Sequence, residues 1–224
     1  MNQPCNLVVA CVPHSGSSVI THCIALMGQH HHGDPKSDRH GWRRGEFMQF
    51  NSLSIALLDE ATRAESQAEL STFIGELKPP WVLKDPRLCL TLQWAIESFR
   101  AALPELPTLV VLGRDIDEVK HSFELRSQWL DRERGILGFF GESVDTMYQQ
   151  LDRNAERWVA AGGKVEHLSF NAVCDTSRDD DRARFRALFH FAEPIDDRGV
   201  TDAMQCFDHE RPMRGHRRKG HSGW

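Results

Sequence analysis

The 224-residue chain has no apolar run approaching the length of a membrane span, so no integral membrane contact is expected. It has no surplus of positive charge. Its 27 Lys and Arg stand against 32 Asp and Glu, and the net charge of -5 has the wrong sign for a general nucleic-acid binder. It has no Cys-x-x-Cys pair either. The six cysteines, at 5, 11, 23, 89, 174 and 206, are scattered in a way that suits reduced, buried thiols in a cytoplasmic protein. No Cys or His pair has the spacing of a structural zinc site, so no metal is expected. His30, His31 and His32, with Gly33, Asp34 and His40, read as a flexible substrate loop. Internal repeats and linker-like stretches are missing. At this length a single well-buried domain over 1–224 is expected. Its most biased stretch is a basic segment at about 209–224, free of acid from Arg211 onward.

What is present is an alternation of short apolar runs with longer helical patterns, the signature of a parallel sheet covered by helices. Strands are expected at 6–12, 81–83, 108–113 and 165–170. The first has no positive leader and is too short for a signal core, so it reads as a strand buried on both faces. Helices are expected at 17–27, 47–64, 65–77, 90–103, 142–161, 179–191 and 200–207, with another beginning at Asp117 as its N-cap.

Between the first strand and the first helix lies Val12-Pro13-His14-Ser15-Gly16-Ser17-Ser18. The backbone must turn there into a helix N-terminus, whose unpaired N–H groups and dipole favour an anion. Gly16 permits close backbone approach, Ser17 and Ser18 add hydroxyls, and His14 can supply a proton or positive charge. No lysine sits in the turn, so this is not a Walker A loop. The plainer alternative is a Ser-capped helix following a strand.

A second anion signature follows the third strand. Arg114 stands at its carboxyl end, where nucleotides bind in open α/β sheets, and Ser122 lies eight residues further on. A helix starting near Asp117 can bring the Ser122 hydroxyl back beside the guanidinium, giving a two-point grip on a phosphate. The alternative is an Arg114 paired with a neighbouring carboxylate and a solvent-facing Ser122. The short strand 81–83 ends in Lys84-Asp85-Pro86-Arg87, where Asp85 and Arg87 can equally form a pair that caps the strand.

In this order the segments resemble the sulfotransferases that use 3'-phosphoadenosine 5'-phosphosulfate (PAPS), in particular the bacterial sulfotransferase-like proteins with a KDPR strand end. The stretch from Pro13 to Ser18 is similar to the family's 5'-phosphosulfate loop, with His14 where the family has Lys or Arg. Arg114 and Ser122 match the 3'-phosphate pair, with Ile116 in place of a common Pro. Phe170 stands where the family has a tyrosine that stacks on adenine, a core phenylalanine being the alternative. Arg218-Lys219-Gly220 and the terminal Trp224 resemble the segment that closes over the 3'-phosphate, without the family's Asp before the Trp; a plain basic tail is the alternative.

The resemblance implies a P-loop-like parallel sheet of four or five strands with helices on both faces. It implies transfer of a sulfuryl group from PAPS to an acceptor hydroxyl of open class, leaving 3',5'-bisphosphoadenosine (PAP), without a metal. Ser15, Gly16, Ser17 and Ser18 would hold the 5'-phosphosulfate; Arg114 and Ser122 would hold the 3'-phosphate with Arg218, Lys219 and Gly220. His14 and Lys84 would stabilise the leaving group. Glu46, in a setting similar to the glutamate base of the tyrosylprotein and heparan branches, would accept the acceptor's proton, with Asp85 second. The competing expectations are a PAPS- or PAP-binding module without chemistry, and a nucleotide kinase-like P-loop protein.

Overall fold

Continuous runs of Val, Leu and Ala bounded by turns give the buried centre of the molecule. A computed structural model of the chain describes residues 5–28, 47–130, 142–192 and 195–214, the side chains at 48, 125–130 and 208–214 excepted. In chain order the elements are β1 (Leu7–Cys11), α1 (Ser17–Gly28), α2 (Met48–Ala56), α3 (Arg63–Glu76), β2 (Val82–Lys84), α4 (Leu88–Ala102), β3 (Thr108–Gly113), α5 (Ile116–Leu130), α6 (Val144–Ala160), β4 (Val165–Ser169), α7 (Phe170–Arg178), α8 (Arg182–Leu188), a 3₁₀ turn (His190–Ala192) and α9 (Asp197–Arg214). The fold is α/β with an all-parallel sheet of four strands among the described residues, in the order β2-β1-β3-β4.

Every residue of β1 is buried, because helices cover both faces of the sheet. Alternation along the strand divides its side chains between two cores. Val8, Ala10 and Val12 face α2, α3, α4 and α6, where Phe50, Leu70, Phe99 and Trp158 pack. Leu7, Val9 and Cys11 face α1, α7, α8 and α9, where Ile20, Ile24, Phe185 and Phe207 pack. The six cysteines are free thiols, four of them buried in these layers. No helix among the described residues is long and apolar enough to cross a membrane.

The strand expectations hold to within a residue or two, whereas several helix bounds move for local reasons. Helix α5 starts at Ile116 because Asp115, not Asp117, caps it: one Asp115 carboxylate oxygen accepts from the amides of Asp117 and Glu118 at 3.0 and 3.1 Å. Strand β4 stops at Ser169, whose hydroxyl accepts from the Ala172 amide at 3.3 Å and so starts α7 where more strand was expected. The expected helix at 179–191 is shorter, because Asp181 caps a new start at Arg182. Helix α9 begins earlier than expected and runs to Arg214, so the first part of the basic segment has helical backbone.

Helix α7 ends in a Schellman turn. The amides of Asp181 and Asp180 donate to the carbonyls of Thr176 and Ser177, both at 3.2 Å, with Asp180 in the left-handed region at φ 54°. Helix α6 ends the same way, with glycine at the corresponding position, Gly162 at φ 90°. Asp180→Gly is therefore expected to raise stability by about 0.5 kcal/mol. That is the relief of about 1–2 kcal/mol of left-handed strain, less roughly 0.5–1 kcal/mol of added chain freedom when unfolded. A urea denaturation midpoint at unchanged slope checks it.

Candidate anion and nucleotide site

The chain leaves β1 toward β2 on one side and leaves β3 toward β4 on the other, so the carboxyl ends of β1 and β3 form the switch point of the sheet. The turn after β1 and Arg114 after β3 meet there. The Ser15 amide and hydroxyl both donate to the Val12 carbonyl, at 3.3 and 2.6 Å, closing the turn. Ser15 is fully buried, so its polar groups serve the turn itself. Gly16, at φ 82°, then directs the chain into α1, with Ser17 as the first helical residue. That first turn carries no acidic residue, and its amides lie at the positive end of the helix dipole.

Phe170 forms the floor beneath Gly16. It is the first residue of α7 and 9% exposed, and its ring packs against the bare Cα of the glycine. The Arg114 guanidinium lies over the same ring, 5.0 Å from its centroid. Phe170 thus packs against the loop and Arg114, the core role that stood as the alternative to stacking on adenine.

Arg114 is held in place by two partners. Nη1 donates to the His14 carbonyl at 2.9 Å, and Nε donates to Glu118 Oε2 at 2.9 Å. The other Glu118 oxygen accepts from Asn171 Nδ2 at 3.2 Å. Ser122 Oγ lies 3.3 Å from His14 Nδ1, and the His14 ring sits edge-on to Phe123, centroids 4.5 Å apart. The two expected grips are therefore contiguous. His14 has φ 68°, a left-handed conformation that turns its carbonyl toward Arg114 and its ring toward Ser122.

Sequence reasoning did not find Glu118, Asn171 or Tyr148. Glu118 had a signal, being four residues after Arg114 on a helix. Asn171 and Tyr148 had none, because their roles depend on the packing of α7 and α6. The Tyr148 hydroxyl donates to the Arg114 carbonyl at 2.9 Å and also meets Ser15. Burial pushes the Tyr148 phenol up from its usual value, against those two hydrogen bonds.

Beside Arg114 a cleft of about 440 Å³ opens between the ends of β3 and β4 and helix α6. Its walls include Gly113, Tyr148, Leu151, Asp152, His167 and Ser169. A Cβ at Gly113 would meet only the Leu168 carbonyl at 4.0 Å, so there is room beside it.

Lys84 and Asp85 lie at the end of β2, next to β1, and are 4% and 0% exposed. Alternation places Lys84 on the α1 face with Val82. Asp85 is committed to Arg87: Nε and Nη2 donate to its two oxygens at 2.7 and 2.8 Å, and the Arg87 amide adds a third bond at 2.9 Å. Burial raises the Asp85 carboxyl above its usual range despite the arginine. With both oxygens occupied, Asp85 is a strand-end lock in this arrangement, not a base open to an acceptor. Glu46, Arg218, Lys219 and Gly220 lie outside the described residues. No group of three or more potential metal ligands occurs among the described residues.

Compared with known proteins, the chain matches no family model and no curated protein sequence.

Proposed function

We propose that the chain binds PAPS as donor substrate and transfers its sulfuryl group to an acceptor hydroxyl. The observation that carries this reading is the direct contact between Arg114 and the turn after β1, at the switch point of a parallel sheet. A helix N-terminus whose first turn carries no acidic residue suits the phosphosulfate. The fork of Arg114, with the Ser122 hydroxyl beside it, suits a second phosphate. The adjoining cleft has the size of a small-ligand site, and its position next to Arg114 suits the adenosine.

In this reading the amides of Gly16, Ser17 and Ser18 hold the phosphosulfate, and Lys84 supplies fixed positive charge on the α1 side. The acceptor oxygen bonds to sulfur as the bond from sulfur to the phosphate oxygen breaks, leaving PAP. The acceptor's proton passes to a carboxylate, for which Glu46 is the candidate. Incubation with ³⁵S-labelled PAPS and a panel of carbohydrate, peptide-tyrosine, lipid and small-phenol acceptors tests it. Labelled product is expected with at least one class, and absence of label in every acceptor contradicts it.

One observation favours a nucleotide-binding module without chemistry. Asp85, the second candidate for the base, is locked by Arg87. That reading expects PAP binding with no transfer in the same assay.

A further inference from the structure

We infer that His14 plugs the site it belongs to, holding the Arg114–Ser122 pair shut until a ligand with a second phosphate displaces it. This rests on the reading of the turn, Arg114 and Ser122 as an anion site. Both members of the pair are directed at this one residue. Arg114 Nη1 donates to the His14 carbonyl at 2.9 Å, and Ser122 Oγ lies 3.3 Å from Nδ1 of its ring. The ring is wedged edge-on against Phe123, so it occupies the space in front of the Ser122 hydroxyl. None of this is the relaxed state of a histidine. At φ 68° its backbone lies where residues with a Cβ are disfavoured, and the surrounding contacts hold it there.

The contacts are of a kind a phosphate can outcompete. A neutral carbonyl and a ring nitrogen are weaker partners for a guanidinium and a hydroxyl than phosphate oxygens are. A ligand with a phosphate at this end exchanges the plug for stronger bonds. A ligand without one has nothing with which to displace the ring and leaves Ser122 and His14 closed. His14 therefore taxes only ligands that use the Arg114–Ser122 end, and it filters for the ones able to overcome that tax.

Calorimetric titration of the full chain with PAP and with 5'-AMP, which lacks the 3'-phosphate, separates the possibilities. His14→Ala is expected to raise the preference for PAP over 5'-AMP roughly fivefold through tighter PAP binding, the factor corresponding to one hydrogen bond no longer broken on binding. His14→Gly also removes the side chain and releases the left-handed strain, so it serves if the alanine variant folds poorly. Unchanged or weaker PAP binding in both variants overturns the plug and makes His14 a bystander or a ligand. Equal tightening toward both nucleotides also overturns it, because the effect then belongs to the loop at large. If neither nucleotide binds any form, wild type included, the anion-site reading falls and the plug with it.

Discussion

Gly16→Ala is expected to cost about 3 kcal/mol of stability, the sum of roughly 1–3 for overpacking and 1–2 for a left-handed alanine. It is also expected to weaken PAP binding more than about a hundredfold, a change of some 2.7 kcal/mol. Two independent features set the size of the effect. The backbone at φ 82° is unfavourable for any residue with a Cβ. An added Cβ would also overlap the Phe170 ring, with Cδ2 at 2.5 Å and Cζ at 2.8 Å. The ring has nowhere to go, because Arg114 lies over it and Phe207 packs against it with centroids 6.1 Å apart. The loop must move instead, carrying the amides of the first turn of α1 away from the anion. Combining Gly16→Ala with Phe170→Ala removes the overlap and keeps the backbone penalty. The double variant is expected to be more stable than the sum of the single effects allows, and strict additivity in urea denaturation contradicts the packing account.

Asp85→Ala is expected to destabilise the fold by about 3–5 kcal/mol, the range for leaving one partner of a buried ion pair alone. The Arg87 side chain is only 18% exposed and loses two charge-assisted bonds at once. Asp85 also imparts a pH dependence whose sign is fixed by the direction of its shift. Its folded value is raised by burial above the unfolded one, so the stability linked to its protonation, a separate quantity from the loss on Asp85→Ala, is fully present below the usual carboxylate range. That contribution is lost as pH rises through the folded value. Asp85→Asn is expected to remove this slope while keeping part of the hydrogen bonding, and denaturation at several pH values measures both. A wild-type slope of opposite sign in that window contradicts the assignment to Asp85.

The sheet was legible because β1, β2 and β3 are short runs of Val, Leu and Ala, which only burial on both faces explains. Helix starts were less legible, because Asp115 and Asp181 each have another aspartate close by that could cap as well, and Ser169 lies within the expected strand. Their capping role becomes visible only once an oxygen is seen to accept an amide. At the site, the meeting of the β1 turn with Arg114 follows from the strand order, which sets β1 beside β3; the resemblance implied only that both motifs hold one nucleotide. Three features could not be read from spacing. Burial of the Ser15 hydroxyl against Val12, the filling of the Gly16 gap by Phe170, and the closure of His14 on Ser122 all depend on where α5 and α7 pack. For Arg114, the pairing with a neighbouring carboxylate that stood as the alternative in the sequence is present, and it leaves the proposed phosphate grip on the same side chain. Arg114 pairs with Glu118, and the same pairing orients its fork at the switch point.

The central claim is that one nucleotide lies with its 3'-phosphate on Arg114. The most direct test is the titration of wild type and Arg114→Ala with PAP and 5'-AMP, read as a cycle between the guanidinium and the phosphate. Wild type is expected to prefer PAP by more than about tenfold, a coupling near 1.4 kcal/mol, and Arg114→Ala is expected to bind the two nucleotides alike. Equal binding of both nucleotides by wild type, or a preference that survives loss of Arg114, contradicts the account.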